Sequence, residues 1–181
     1  MWSRAQARTT SSHGETPEPV SYSVNVTTPQ NFSLRPCHGP AEWPELVRIW
    51  RSAVEATHHF LTADDIDFYE RRLAEEYLKM VELTVADSDG VPVGFSGVAG
   101  GNLEMLFIDH QHRGRGAGSV LLADARAKNP GLLVDVNEQN PQAVGFYQRH
   151  GFVTLSRSET DGDGRPFPIL HLGPAPSTPV G

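Results

Sequence analysis

The strand-like segment Leu103-Glu104-Met105-Leu106-Phe107-Ile108 leads into the turn Arg113-Gly114-Arg115-Gly116-Ala117-Gly118. That turn opens onto the apolar helical pattern Ser119-Val120-Leu121-Leu122-Ala123. A strand, a glycine-rich turn and a helix N-terminus in this order form a cradle for phosphate. Glycines let the backbone approach a ligand closely, and the first helical N–H groups and the positive end of the helix dipole face an anion. Two arginines add positive charge on long side chains. The plainer reading is an ordinary glycine-arginine loop.

The glycine spacing separates the known phosphate loops. A Walker-type loop needs Gly-Lys-Ser/Thr at the helix start, and Gly118-Ser119 has no lysine between its members. A dinucleotide fold needs a third glycine where Ser119 stands, and it uses the first strand-helix turn of the sheet. Asp135 falls near that fold's acidic position, but several strand patterns precede this turn. What remains is Arg113-x-x-Gly116-x-Gly118.

The rest of the chain supplies one domain around one sheet. Asn31 to Arg35 reads as a strand. Leu46, Ile49, Trp50, Ala53 and Val54 recur at helical spacing, which predicts a helix over 41–57. Thr62-Ala63-Asp64-Asp65 resembles a capping box and opens a second helix through Phe68, Leu73 and Tyr77. Alternating Val81, Leu83 and Val85, the turn Asp89-Gly90, and alternating Val91, Val93 and Phe95 predict a hairpin. Gly100-Gly101 turns into the strand ending at Ile108, and the helix after the glycine turn runs to about Lys128. Leu132 to Val136 reads as a buried strand. Asn140-Pro141 starts a helix that Gly151 ends. Strands over 152–157 and 167–172 follow, with a turn at 161–164 between them. The order is β-αα-βββ-α-β-α-ββ, an α+β domain over 31–172.

Residues 1–30, rich in Ser, Thr, Pro and Glu, are expected to be a disordered tail, and 173–181 a flexible one. With 181 residues the chain has room for one sizeable core. A net charge of -7 argues against wholesale nucleic-acid binding. The single cysteine, Cys37, allows no internal disulfide and supplies no metal spacing. No signal-peptide core and no bilayer-spanning run is present, so a cytoplasmic protein is expected, with no membrane partner. His58-His59 and His110-x-His112 lack the helical spacing of a zinc pair, and no metal is expected.

Two stretches together carry a family resemblance. Arg113-x-x-Gly116-x-Gly118 is one. Asn137-Glu138-Gln139-Asn140-x-x-Ala143-x-x-Phe146-Tyr147, continuing to Gly151-Phe152, is the other. In this element order they resemble the signature motifs of the GCN5-related N-acetyltransferases. Ile49-Trp50, Ala56-Thr57-His58-x-Phe60-Leu61 and Gln142-Ala143-Val144-Gly145-Phe146-Tyr147 are similar to the small bacterial acetyltransferases of the YjaB type, regarded as acting on peptidyl lysine. Those proteins start close to the first strand, so the leader of this chain is a departure.

The resemblance implies a central, mostly antiparallel sheet flanked by helices. It implies acetyl-CoA as donor, a primary amine (a protein lysine or a small molecule) as acceptor, and a monomer or homodimer. The pyrophosphate is expected on the turn formed by Arg113, Gly114, Arg115, Gly116, Ala117 and Gly118, with Ser119 beside it. The pantetheine is expected along Leu106, Phe107 and Ile108, bordered by Asn140, Ala143 and Phe146. Oxyanion donors are expected from backbone N–H groups near Leu106 if the strand bulges there.

Tyr147 is the candidate acid for the departing thiolate, against a plain packing role. Three residues compete as base. Asp135 lies in an apolar strand, where a carboxylate needs a partner or a cleft and burial favours its protonated form. Glu104 sits on the donor strand, and His58 lies in the link between the first two helices. A non-catalytic acyl-CoA sensor is the alternative function. Asp64, Asp65, Asp161 and Asp163 could attract a cationic acceptor, although solvated loop carboxylates are the plainer reading.

Overall fold

One pair of neighbouring strands sets the architecture. The computed structural model describes residues 32–175. Among these residues seven strands form one sheet: β1 (Phe32–Pro36), β2 (Glu82–Ser88), β3 (Val91–Ala99), β4 (Asn102–Ile108), β5 (Leu133–Asn137), β6 (Phe152–Ser158) and β7 (Ile169–Pro174). Their order is β1-β2-β3-β4-β5-β7-β6. Every pairing is antiparallel except β4–β5. That parallel pair holds through only two positions, Asn102 with Leu133 and Leu103 with Val134. Beyond them the strands part, and the backbone groups along the facing edge of β4 are left without a β5 partner.

Among the described residues four α-helices cover the sheet: α1 (Trp43–Glu55), α2 (Ala63–Glu75), α3 (Ala117–Lys128) and α4 (Pro141–Arg149). The apolar face of α1, with Leu46, Ile49, Trp50, Ala53 and Val54, is buried as its spacing requires. With Leu73, Val85, Phe95 and Met105 most of it forms one core. On the opposite face Leu122, Ala125, Val134, Val136, Tyr147 and Leu172 form a second. β4 serves both cores because Gly97 pairs with Met105 and Val98 with Leu103, leaving Glu104 as an extra, bulged residue. The bulge switches the alternation, so Leu103 joins one core and Met105 the other.

The local signals read from the sequence have direct counterparts. Thr62 and Asp65 close a reciprocal capping box at the start of α2. Asp89 and Gly90 both have positive φ, 53° and 79°, as a two-residue hairpin turn requires. Asn140 caps α4, its side chain accepting from the Ala143 N–H at 3.1 Å.

The differences are at element ends. The first predicted helix breaks into a 3-10 turn, Pro40–Glu42, followed by α1. α2 stops at Glu75, and Tyr77 lies in a 3-10 turn of its own. β7 carries on past the expected boundary at 172: Gly173 and Pro174 pair with Val153 and Phe152 of β6. Pro174 fits because pairing with β5 ends at Leu172, so its missing N–H breaks no bond on that side. The expected tail over 1–30 and the chain beyond 175 lie outside the described residues. Among the described residues no helix is long and apolar enough to cross a membrane.

Candidate active site

The gap between β4 and β5 opens into a cleft of about 740 Å³. It runs from the glycine turn, past the diverging strands and α4, to the link between α1 and α2. Two glycines shape the end of the cleft at the glycine turn. Gly114 and Gly116 have φ of 74° and 101°, a region that side chains with a Cβ avoid. Gly116 is the N-cap residue of α3 and has no side chain to cap with, so the first N–H groups of the helix stay open to a ligand. Gly118 is inside the helix. A Cβ there would meet Phe146 at 3.6 Å, an ordinary contact, so the protein alone does not require glycine at this position.

Of the expected donor-site residues, Leu106, Phe107, Ile108, Arg113, Gly114, Gly116, Ala117, Gly118, Ser119, Asn140, Ala143 and Phe146 line the cleft, and Arg115 does not. Leu106 packs against one core and Phe107 against the other, which fixes the β4 backbone between them. The bulge lies at Glu104, earlier than the expected position near Leu106. Ser119 is tied to α4 through His150. The ring Nδ1 of His150 faces the Phe146 carbonyl at 2.8 Å, so it carries a proton, and Nε2 lies 3.1 Å from the Ser119 hydroxyl.

All four candidate catalytic residues also line the cleft. Tyr147 is only 6% exposed and packs edge-on against Phe146 and Phe152. Burial pushes its phenol well above the usual range, so at neutral pH it is a protonated donor. His58 has moved the other way. Burial, then the charges of Arg113 and His59, lower it to about 4. A neutral imidazole that weakly basic is a poor proton acceptor at neutral pH, which argues against His58 as the base. Its Nδ1 lies 2.7 Å from the Thr57 hydroxyl.

Asp135 is less enclosed than an apolar strand suggested. Val134 and Val136 are buried, but the Asp135 side chain points to the other face and is 35% exposed. It has both features expected of such a carboxylate: it lines the cleft, and it is paired. Oδ1 meets His171 Nδ1 at 2.6 Å, and Oδ2 accepts from Asn102 Nδ2 at 3.2 Å. The same amide donates to Glu104 Oε1 at 2.8 Å, so Asn102 bridges the two candidate carboxylates.

Three of the carboxylates weighed as acceptor-side residues have structural partners. Asp65 pairs with Arg165, Tyr69 donates to Asp161, and Tyr77 and Arg72 donate to Asp163. These ties fasten the β6–β7 loop to α2 and its 3-10 extension, and Phe60 meets Phe167 of that loop at 5.9 Å.

Sequence reasoning missed several residues at the site. Asn102 and His171 are legible only once β4, β5 and β7 are placed side by side, because no local motif marks them. Gln142 lay inside a recognised motif, and its cleft position follows from capping of α4 by Asn140.

Comparisons with known proteins agree with this fold. A family model described as an acetyltransferase (GNAT) domain matches residues 51–168. The peptidyl-lysine N-acetyltransferase YjaB of Salmonella typhimurium is 44% identical over 135 residues, covering 72% of this chain and 90% of that protein. The solution structure of apo YjaB from Escherichia coli superposes with a TM-score of 0.73 at 42% identity, covering 79% of this chain and 97% of that one. An N-acetyltransferase from Thermoplasma acidophilum in complex with coenzyme A shares the fold, with a TM-score of 0.64 at 18% identity over 78% of this chain and 98% of that one. This chain is a member of the GNAT acetyltransferase family and an acetyl-CoA-dependent N-acetyltransferase.

Proposed function

We propose that the enzyme moves the acetyl group of acetyl-CoA to the side-chain amine of a protein lysine, by direct attack within a ternary complex. The splay of β4 from β5 carries this reading: it leaves a run of free backbone groups on one wall of a cleft whose other walls hold an anion cradle and a protonated tyrosine. The relatives named for peptidyl-lysine acetylation support the acceptor class.

In this reading the pyrophosphate rests on the open N–H groups at the start of α3, with Arg113 alongside. The pantetheine follows the free edge of β4 past Ile108, Phe107 and Leu106, pairing with its backbone as an added strand does. The thioester then lies where β4 and β5 part, among Glu104, Asp135 and Tyr147.

The chemistry follows from those neighbours. A lysine ammonium gives one proton to a cleft carboxylate, Asp135 in our reading, and becomes nucleophilic. Its lone pair attacks the thioester carbon, and backbone N–H groups of β4 receive the oxyanion. Collapse breaks the C–S bond. Tyr147 protonates the departing sulfur, and the second proton lost by the new amide nitrogen balances the one that tyrosine gave. Cys37, the single cysteine, does not line the cleft, and burial raises its thiol pKa, which speaks against an acetyl-cysteine intermediate. A pool of acetyl-CoA and cytosolic proteins is the setting such an enzyme needs, so we place it in the cytoplasm.

The test is an acceptor panel of lysine peptides, N-terminal peptides, polyamines and aminoglycosides, read by release of CoA and by mass spectrometry of the products. Acetylation at the lysine Nζ of peptides is expected. Exclusive turnover of a small amine would overturn the acceptor, and binding of acetyl-CoA without turnover of any amine would overturn the enzyme reading in favour of a sensor.

A further inference from the structure

We propose that His171 is a positioning residue for acetyl transfer, holding the Asp135 carboxylate at the point where β4 and β5 separate. The proposal rests on the reading of the cleft as the site of transfer.

Three strands carry the arrangement. Asp135 of β5 lies directly opposite His171 of β7 in the antiparallel register, so both side chains leave the same face of the sheet. His171 Nδ1 stands 2.6 Å from Asp135 Oδ1, and its Nε2 stands 2.8 Å from the hydroxyl of Ser158 on β6. An ionised carboxylate only accepts hydrogen bonds, so Nδ1 carries the proton. In the neutral ring Nε2 is then the acceptor, and Ser158 donates to it. With a neutral ring the row runs Ser158 to His171 to Asp135.

The other oxygen of Asp135 is held from the opposite side. Asn102, the first residue of β4, donates to Oδ2 at 3.2 Å and to Glu104 at 2.8 Å. Asp135 is thus pinned between β7 and β4 in one rotamer, while Oδ2 keeps a lone pair for an incoming ammonium. The order Ser-His-Asp matches that of a hydrolase triad, but here the carboxylate lines the cleft and the serine does not. The row therefore orients the carboxylate and does not activate the hydroxyl.

A purely structural tie would be an odd use of these groups. The side chains of His171 and Asp135 are each 35% exposed, and a pair so open to solvent contributes only modestly to folding. Its effect is expected in the rate, where a reacting group held by a second residue is typically about 10- to 100-fold more effective than a loose one.

The test uses the full-length chain with acetyl-CoA and a lysine peptide. His171→Leu is expected to lower kcat about 10- to 100-fold while the KM for acetyl-CoA stays within about 2-fold. His171→Asn, whose amide can donate where Nδ1 does, is expected to recover most of that loss. Thermal melts of both variants report folding. Unchanged kcat in His171→Leu, or equal losses in the Leu and Asn variants, would overturn the positioning role. If wild type binds acetyl-CoA yet acetylates no amine, the function fails and this role fails with it. A working wild type beside an equally active His171→Leu overturns the role alone.

Discussion

Arg113 Nη2 donates to Gln142 Oε1 at 2.8 Å, joining the glycine turn to the first turn of α4. The two motifs that carry the family resemblance are therefore in contact, and Arg113 is held at the cleft wall rather than left to wander in solvent. The bond is exposed, so Gln142→Ala is expected to change stability by no more than about 0.5 kcal/mol. Freed of this tether, Arg113 should bind the donor less well, raising the KM for acetyl-CoA about 2- to 5-fold with kcat kept. Steady-state kinetics with a melting curve check both parts.

Tyr147→Phe separates acid from packing. Phenylalanine keeps the ring contacts with Phe146 and Phe152 and removes only the hydroxyl. Acetyl-CoA affinity and melting temperature should hold, while kcat falls by about 100-fold, at the low end for loss of a general acid. Calorimetric titration beside turnover measures the two sides, and unchanged turnover removes the acid role.

Two glycines of the turn should answer differently to alanine. Gly116 has a φ of 101°, so Gly116→Ala is expected to cost about 1–2 kcal/mol of stability and to weaken donor binding. Gly118 sits in α3 with room for a Cβ, so Gly118→Ala should stabilise the helix by up to about 1 kcal/mol. It should still raise the Kd for acetyl-CoA, since the added methyl, in ordinary contact with Phe146 and Ile108, narrows the cleft where the donor is proposed to lie. Denaturant unfolding and ligand titration of both variants test the contrast.

His58 gives the fold a defined acid sensitivity. Burial and the neighbouring charges hold its folded pKa at about 4, below the ordinary 6.5. The unfolded chain therefore binds the extra proton between these values, and stability falls as pH drops through that window. The expected loss from this residue between about pH 7 and pH 5 is about 2 kcal/mol. His58→Gln lacks that component, so the stability difference between wild type and variant should shift by this amount over the same range in urea titrations. A pH-independent difference would contradict the assignment.

Much of the fold was legible because its signals are local. The α1 apolar face, the Thr62 capping box, the Asp89-Gly90 turn and the Asn140-Pro141 helix start each depend on a few adjacent residues. The glycine turn at the start of α3 was legible for the same reason. What local patterns do not carry is adjacency between distant strands. The bulge at Glu104 is a property of the β3–β4 register, and the pairing of Asp135 with His171 depends on β7 lying between β5 and β6. The burial expected for Asp135 failed likewise. Flanking Val134 and Val136 suggested enclosure on both faces, but only the face toward α3 and α4 is covered.

In the proposed reaction the acetyl group passes directly from acetyl-CoA to a lysine amine in a complex holding both. Initial rates measured with acetyl-CoA and a lysine peptide varied together test it most directly. Direct transfer gives intersecting reciprocal plots, with one acetyl-lysine formed for each CoA released. Parallel plots, which signal an acetyl-enzyme, or CoA release that does not depend on the peptide, would contradict it.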